Sequence, residues 1–260
     1  PIEGFNTADL NWGTANAKNV TLSFWVRSSL TGTFGGSFTN SAGNRNYPFS
    51  YTISSANTWE QKFITVDGDT SGTWIGATNG VGILIRFGLG VGSTVSGTAG
   101  AWSSSTFYSA TGATSVVGTN GATWQVTGVQ LEEGSTPTSF EYRQYGTELQ
   151  LCQRYYTLIA KAANIYFSGG YYYNSSVLYG NMTLPVQMRT TPTSAISSGA
   201  GFYTFYSNNS GNNLNSLTVI YSSNQALTIQ NTTEASGTAG VAGGFYTATA
   251  SAFVAVQAEL

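Results

Sequence analysis

Residues 20–30 read VTLSFWVRSSL. Leu22, Phe24 and Val26 alternate with Thr21, Ser23 and Arg27, and a period of two fits a half-buried strand. The alternation predicts that the first set faces a core and that the second lies largely outside it. Runs of this size recur: GTFGGSFTN, NYPFSYTIS, residues 59–66 of WEQKFITVDGDTSGTW, VGILIRFGLGVG and GATWQVTGVQLEEG. Beyond residue 160 come NIYFSGGYYYNSSVLYGNMTLPVQM, GAGFYTFYSNN, SLTVIYSSNQALTIQN and GGFYTATASAFVAVQAEL. Gly and Asn, the residues of tight turns, separate the runs. Such a series predicts sandwiches of antiparallel sheets. Charge supports the same reading. Only 8% of the 260 residues are charged, against roughly 25% in ordinary soluble domains, which leaves little material for the solvent faces of helices. The predicted fold class is all-β.

Several functions are excluded or disfavoured. The net charge is −2 and no basic run exists, whereas duplex nucleic acid demands several phosphate-neutralising cations. No apolar stretch of about 18 residues predicts a membrane-spanning helix, and no signal-peptide pattern follows Pro1. Histidine is absent, which removes the usual general base and a common zinc ligand. A single cysteine rules out an intrachain disulfide.

The segment 128–156, GVQLEEGSTPTSFEYRQYGTELQLCQRYY, holds six of the chain's twenty charged residues. Glu132 and Glu133 invite a catalytic or metal-binding reading. Adjacent strand residues point to opposite faces, however, so structural carboxylates at a strand end are expected. Tyr145, Leu149, Cys152, Tyr156 and Ile159 are spaced 4, 3, 4, 3, which predicts a helix over 147–158 with a heptad seam. Thr147 and Gln150 would form a capping box at its start. Two heptads need packing partners to be stable. Cys152 is expected on the inward face as a small hydrophobe. Glu141, Arg143, Glu148 and Arg154 would pair within or between subunits and fix a joint. Asp67-Gly68-Asp69-Thr70 resembles the start of a calcium loop, with a hairpin turn as the plainer reading. The stretch 43–46, with Arg45, reads as a simple hairpin loop.

The aromatic residues give the binding candidates. Trp74 and Trp102 sit in loop-like sequence, where an indole would stack on a sugar ring or anchor the loop. Tyr171, Tyr172 and Tyr173 in GGYYYNSS, and Tyr203, Phe205 and Tyr206 in GFYTFYSNNSGNN, lie beside Asn and Ser. Aromatic platforms with amide and hydroxyl neighbours suit a neutral glycan. The alternative is strand–turn–strand structure with cross-strand aromatic pairs.

Several stretches resemble phage tail fibre and receptor-binding proteins of the marine-phage type. IEGFNTADLNWGTANAKNVTLSFWVRSS and YTISSANTWEQKFITVDGDTSGTW resemble the jelly-roll module of those fibres, itself similar to carbohydrate-binding modules. TGVQLEEGSTPTSFEYRQYGTELQLCQRYY resembles the family's junction, and MTLPVQMRTTPT and AVQAEL resemble the start and end of its distal domain. The likeness covers most of residues 2–192 and the last strand. It implies a jelly-roll domain over 1–142, a linker with a short helix over 143–159, and a distal β-sandwich over 160–260. It also implies a homotrimer in the virion tail fibre, assembled in the host cytoplasm beside other tail proteins. That fibre would bind a host surface polysaccharide or lipopolysaccharide, without catalytic residues, nucleic acid or membrane insertion. No cofactor is expected, although carbohydrate modules of this kind often hold a structural calcium. In the family a further stretch with the first jelly-roll strand precedes IEG, so the resemblance implies that such a segment, or another element in its place, completes the first domain. The low charge after residue 160, where only Lys161, Arg189, Glu234 and Glu259 are charged, also favours association. The rival readings are a fibre-borne polysaccharide depolymerase and a monomeric carbohydrate-binding module of a glycoside hydrolase.

Overall fold

The computed structural model describes residues 1–259, which form two compact units, 1–142 and 143–259. Leu260, the last residue of the expected distal domain, lies outside the described residues.

The first unit is a jelly-roll-like β-sandwich. Its strands are β1 (Ile2–Glu3), β2 (Val20–Ser28), β3 (Gly32–Thr39), β4 (Asn46–Ile53), β5 (Glu60–Val66), β6 (Val81–Gly88), the two-residue β7 (Ser96–Gly97) and β8 (Ser109–Ala110), and β9 (Trp124–Glu133). One sheet has the order β1-β6-β3-β4 and the other β5-β2-β9, all antiparallel. Val20, Leu22, Phe24 and Val26 from β2 meet Phe34 and Phe38 from β3 and Phe49, Tyr51 and Ile53 from β4 in one core. Each such side chain contributes about 1.5–3 kcal/mol on burial. Thr21 and Ser23 face away from this core, as the alternation requires, yet both are buried. The Thr21 hydroxyl donates to the Gly134 carbonyl at 2.8 Å. On the other sheet, a Cβ at Gly35 or Gly88 would lie 2.5 Å from the Ser109 hydroxyl. Glycine at these positions lets β8 lie flat on the outer face of the sheet.

The second unit begins with α1 (Tyr145–Gln153). Its strands are β10 (Tyr156–Lys161), β11 (Ile165–Asn174), β12 (Val177–Thr183), β13 (Thr193–Ile196), β14 (Tyr203–Ser207), β15 (Ser210–Leu214), β16 (Thr218–Ser222), β17 (Ala226–Asn231), β18 (Ala242–Thr247) and β19 (Phe253–Gln257). A seven-stranded sheet, β15-β14-β18-β11-β12-β17-β16, and a three-stranded sheet, β10-β19-β13, share one core. Leu178, Tyr203, Phe205, Ile229 and Phe245 enter it from the large sheet, and Ala160, Val254 and Val256 from the small one.

The helix differs from its sequence expectation. It ends at Gln153, so Tyr156 and Ile159 lie on β10 and not on a heptad seam. Tyr156, Thr157 and Ile159 are strand formers, and Tyr156, Thr157, Leu158 and Ala160 pair with β19, with Ile159 at a bulge between them. The N-cap is Gln144, without a side-chain cap, so the Thr147–Gln150 box does not form. No helix residue is buried within the chain, and Cys152 is exposed.

Candidate functional site

The outer face of the seven-stranded sheet is set by strand alternation. Tyr172, Tyr203 and Phe205 point inward and are buried. Their rings belong to the core and cannot stack on a ligand, which corrects the expectation for these three. The Tyr203 phenol sits 2.8 Å from the Phe253 carbonyl and 2.9 Å from that of Ser197, and burial pushes its pKa up. Their outward neighbours Tyr171, Tyr173 and Tyr206 are exposed. Tyr179 lies between the first two, its ring centroid 6.2 Å from Tyr171 and 5.4 Å from Tyr173. Tyr166 and Tyr246 form a further pair at 5.0 Å, and Tyr221 stands 73% exposed on β16. Seven tyrosines therefore occupy one face. None of the seven strands carries a charged residue.

One row of this face crosses six strands in register: Tyr206, Gly244, Gly169, Asn181, Thr228 and Tyr221. The Thr228 hydroxyl donates to the Asn181 amide oxygen at 2.9 Å. Two open depressions of 540 and 410 Å³ lie along the row and share Asn181, Met182 and Thr183. Beyond Tyr206 the chain turns through Asn208 and Asn209, both at positive φ, and the Tyr206 phenol donates to the Asn209 side chain at 2.8 Å. The asparagines beside the ring thus make a hairpin turn between β14 and β15.

Trp74 and Trp102 are held differently. With Trp12 they form a cluster with ring centroids 4.8–5.5 Å apart. The three indole N–H groups donate to Lys18 O, Asp69 Oδ2 and Asp67 O at 2.7, 3.2 and 2.7 Å. Arg45 clamps Asp69 through two hydrogen bonds of 2.7 and 2.6 Å, and Asp69 is almost fully buried. Arg45 is therefore a loop anchor and not a bystander of its hairpin. The stretch Asp67–Thr70 is not a hairpin turn either, because β5 and β6 belong to different sheets. The pocket beside Trp74 measures 160 Å³, below the roughly 300 Å³ at which ligand pockets begin.

No protein-family model, curated protein sequence or solved structure matches the chain.

The remaining candidates take structural places. Glu133 pairs with Lys18 at 2.9 Å. Glu132 accepts from the Thr138 hydroxyl and backbone N–H, and the hydroxyl chiefly holds its pKa below the usual carboxylate value. The two carboxylates thus diverge. Arg143 lies 3.6 Å from Glu148, both about half exposed. The Glu141 N–H donates to the Gln130 side chain, and the Arg154 guanidinium lies 6.0 Å from the Tyr155 ring. Among the described residues, no group of three or more His, Cys, Asp or Glu is placed to hold a metal ion, and no helix is long and apolar enough to cross a membrane.

Two exposed groups escaped the sequence argument. Trp25 and Phe63 stand on the outer face of β5-β2-β9, 40% and 49% exposed. The signal was present: with Phe24 and Val26 inward, Trp25 must point out. The row from Tyr206 to Tyr221 was also missed as a unit, although Tyr206 itself was a candidate, because its members lie on six strands far apart in sequence.

Proposed function

We propose that the chain is a distal part of a phage tail fibre, a homotrimer that binds a neutral glycan of the host surface and does not turn it over. The observation that carries this reading is the outer face of the seven-stranded sheet: seven tyrosines interleaved with amides and hydroxyls, without charge. Tyrosine rings stack on the apolar faces of pyranoses at low entropic cost, and amides hydrogen-bond their hydroxyls. The resemblance of the first 192 residues to tail fibres supports the setting. The trimer is supported by α1. Nine residues are too few for a stable isolated helix. Tyr145, Leu149 and Leu151 are exposed on it. Packing of identical copies along Tyr145, Leu149 and Cys152 supplies the missing contacts. Three weak sites per fibre then raise avidity without strong single-site affinity.

A second reading has its own observation. Trp25 and Phe63 on the first unit make an aromatic sheet face of the kind a carbohydrate-binding module uses, and that reading needs no trimer. Solution mass together with a glycan array and a reducing-sugar assay separates the readings. A trimer that binds glycan without releasing reducing ends supports the fibre. A monomer at micromolar concentration favours the module, and released reducing ends favour a depolymerase.

A further inference from the structure

We propose that the trough floored by Gly169 and Gly244 is the site of a linear, uncharged oligosaccharide laid across the strands. The inference rests on the glycan-binding reading above and places it at named atoms.

Gly169 is the informative residue. It lies within β11, an interior strand of the sheet, where glycine costs about 0.5–1 kcal/mol relative to alanine. Its φ lies outside the left-handed region, so the backbone does not require glycine. A Cβ there would meet no atom within 4 Å, so packing does not require it either. The neighbouring glycines differ. A Cβ at Gly170 would lie 2.2 Å from the Tyr179 carbonyl, and one at Gly243 would lie 2.2 Å from that of Tyr206. Those positions are glycine because the core and the backbone demand it. At Gly169 the space lies on the outside; the irregularity of β11 falls between Tyr166 and Ser168, and Gly169 itself pairs in regular register with Gly244 and Asn181, which leaves close approach by another molecule as the role of this strand glycine. Its register partner Gly244 has the Tyr166 ring 3.0 Å from where a Cβ would stand. That ring forms the wall of the trough.

The chemistry of the floor narrows the ligand. The Thr228 hydroxyl occupies the Asn181 amide oxygen, which orients the amide and leaves its Nδ2 hydrogens as donors. Sugar hydroxyls accept and donate, so they match an amide beside a hydroxyl. A carboxylate or sulfate would meet no cation on any of the seven strands and would lose hydration without compensation. The ligand is therefore uncharged. Its length follows from the sheet. Asn181 links the two depressions, and Tyr206 and Tyr221 are five strand spacings apart, about 24 Å at about 4.8 Å per spacing. A monosaccharide would fill one depression, whereas a chain of several sugars fills both and reaches the end tyrosines.

The test begins with the full-length chain on an array of linear hexasaccharides, neutral (maltohexaose, mannohexaose, laminarihexaose) and acidic (hexagalacturonic acid). The tightest ligand is titrated by calorimetry into wild type, Gly169→Leu, Asn181→Ala and Phe5→Ala. Gly169→Leu places a side chain in open space, so its melting temperature stays at the wild-type value or rises, while affinity falls at least about tenfold, or about 1.4 kcal/mol. Asn181→Ala weakens binding severalfold, and Phe5→Ala, an exposed ring of the first unit, leaves it unchanged. Binding is insensitive to salt between about 0.05 and 0.5 M because no ion pair forms. Unchanged affinity in Gly169→Leu, or a preference for hexagalacturonic acid, overturns the trough while glycan binding itself stands. If no hexasaccharide binds wild type, both the trough and the reading beneath it fail.

Discussion

Arg45 and Asp69 make the sharpest stability prediction, because the structure fixes what each loses without the other. The Asp69 side chain is 2% exposed and the Arg45 side chain 18%. Breaking a buried pair by removing one partner typically costs about 3–5 kcal/mol, since the other charge is left buried. In Arg45→Ala the carboxylate keeps two weaker donors, the Ser71 N–H at 3.1 Å and the Trp74 indole at 3.2 Å. These place the cost near the lower limit, about 3 kcal/mol. In Asp69→Ala the guanidinium can turn toward water, so the loss is smaller, about 2 kcal/mol for the charge-assisted hydrogen bonds. The double variant leaves no stranded charge. It should cost about 2 kcal/mol, well short of the sum of the single changes. The assay is favourable: all six tryptophans lie at or before position 124, so tryptophan fluorescence in a urea titration follows the first unit alone. A cost below about 1 kcal/mol for Arg45→Ala, or additivity within about 0.5 kcal/mol, would refute the claim that Arg45 holds this carboxylate.

Other predictions follow from the same packing. Gly170→Ala forces a Cβ against the Tyr179 carbonyl and should cost at least about 1–3 kcal/mol, whereas Gly169→Ala should be neutral or stabilising by up to about 1 kcal/mol. Calorimetry separates the two, the second unit's transition being the one without a tryptophan signal. Tyr203→Phe removes the phenol donor to the Ser197 and Phe253 carbonyls; the Phe253 carbonyl keeps the Ser197 N–H at 3.1 Å, so the cost should be about 0.5–1.5 kcal/mol, by the same measurement. Burial raises the pKa of Tyr51 and Tyr203. Their phenols therefore contribute stability in full below the unfolded value of about 10, and that contribution is lost as pH rises toward the folded values. Melting temperature should fall above about pH 10, less steeply in Tyr51→Phe; an unchanged slope would contradict this cause.

The strands were legible where alternation was strong. VTLSFWVRS became β2 with Leu22, Phe24 and Val26 inward. The same alternation sorts YYY at 171–173 into one core ring and two outer ones, but the sequence does not say which face is core. That is decided by Gly170 and Gly180, which admit the Phe245 ring on the inner side. The burial of Thr21 and Ser23 on the outer face was not legible, because what covers that face is a long-range property. The heptad spacing misled because two heptads are short enough to arise by chance, and the strand-forming run from Tyr156 overrode it. Arg45 and Asp69, 24 residues apart, carried no local signal of their pairing. The row from Tyr206 to Tyr221 was hidden for the same reason: register across six strands assembles it.

The most direct measurement is a crystal structure of the chain with its tightest-binding neutral hexasaccharide. The sugar is expected on the outer face of the seven-stranded sheet, with one pyranose over Gly169 and others against Tyr166 and Tyr221. Sugar found instead on Trp25 and Phe63 of the first unit would contradict this expectation.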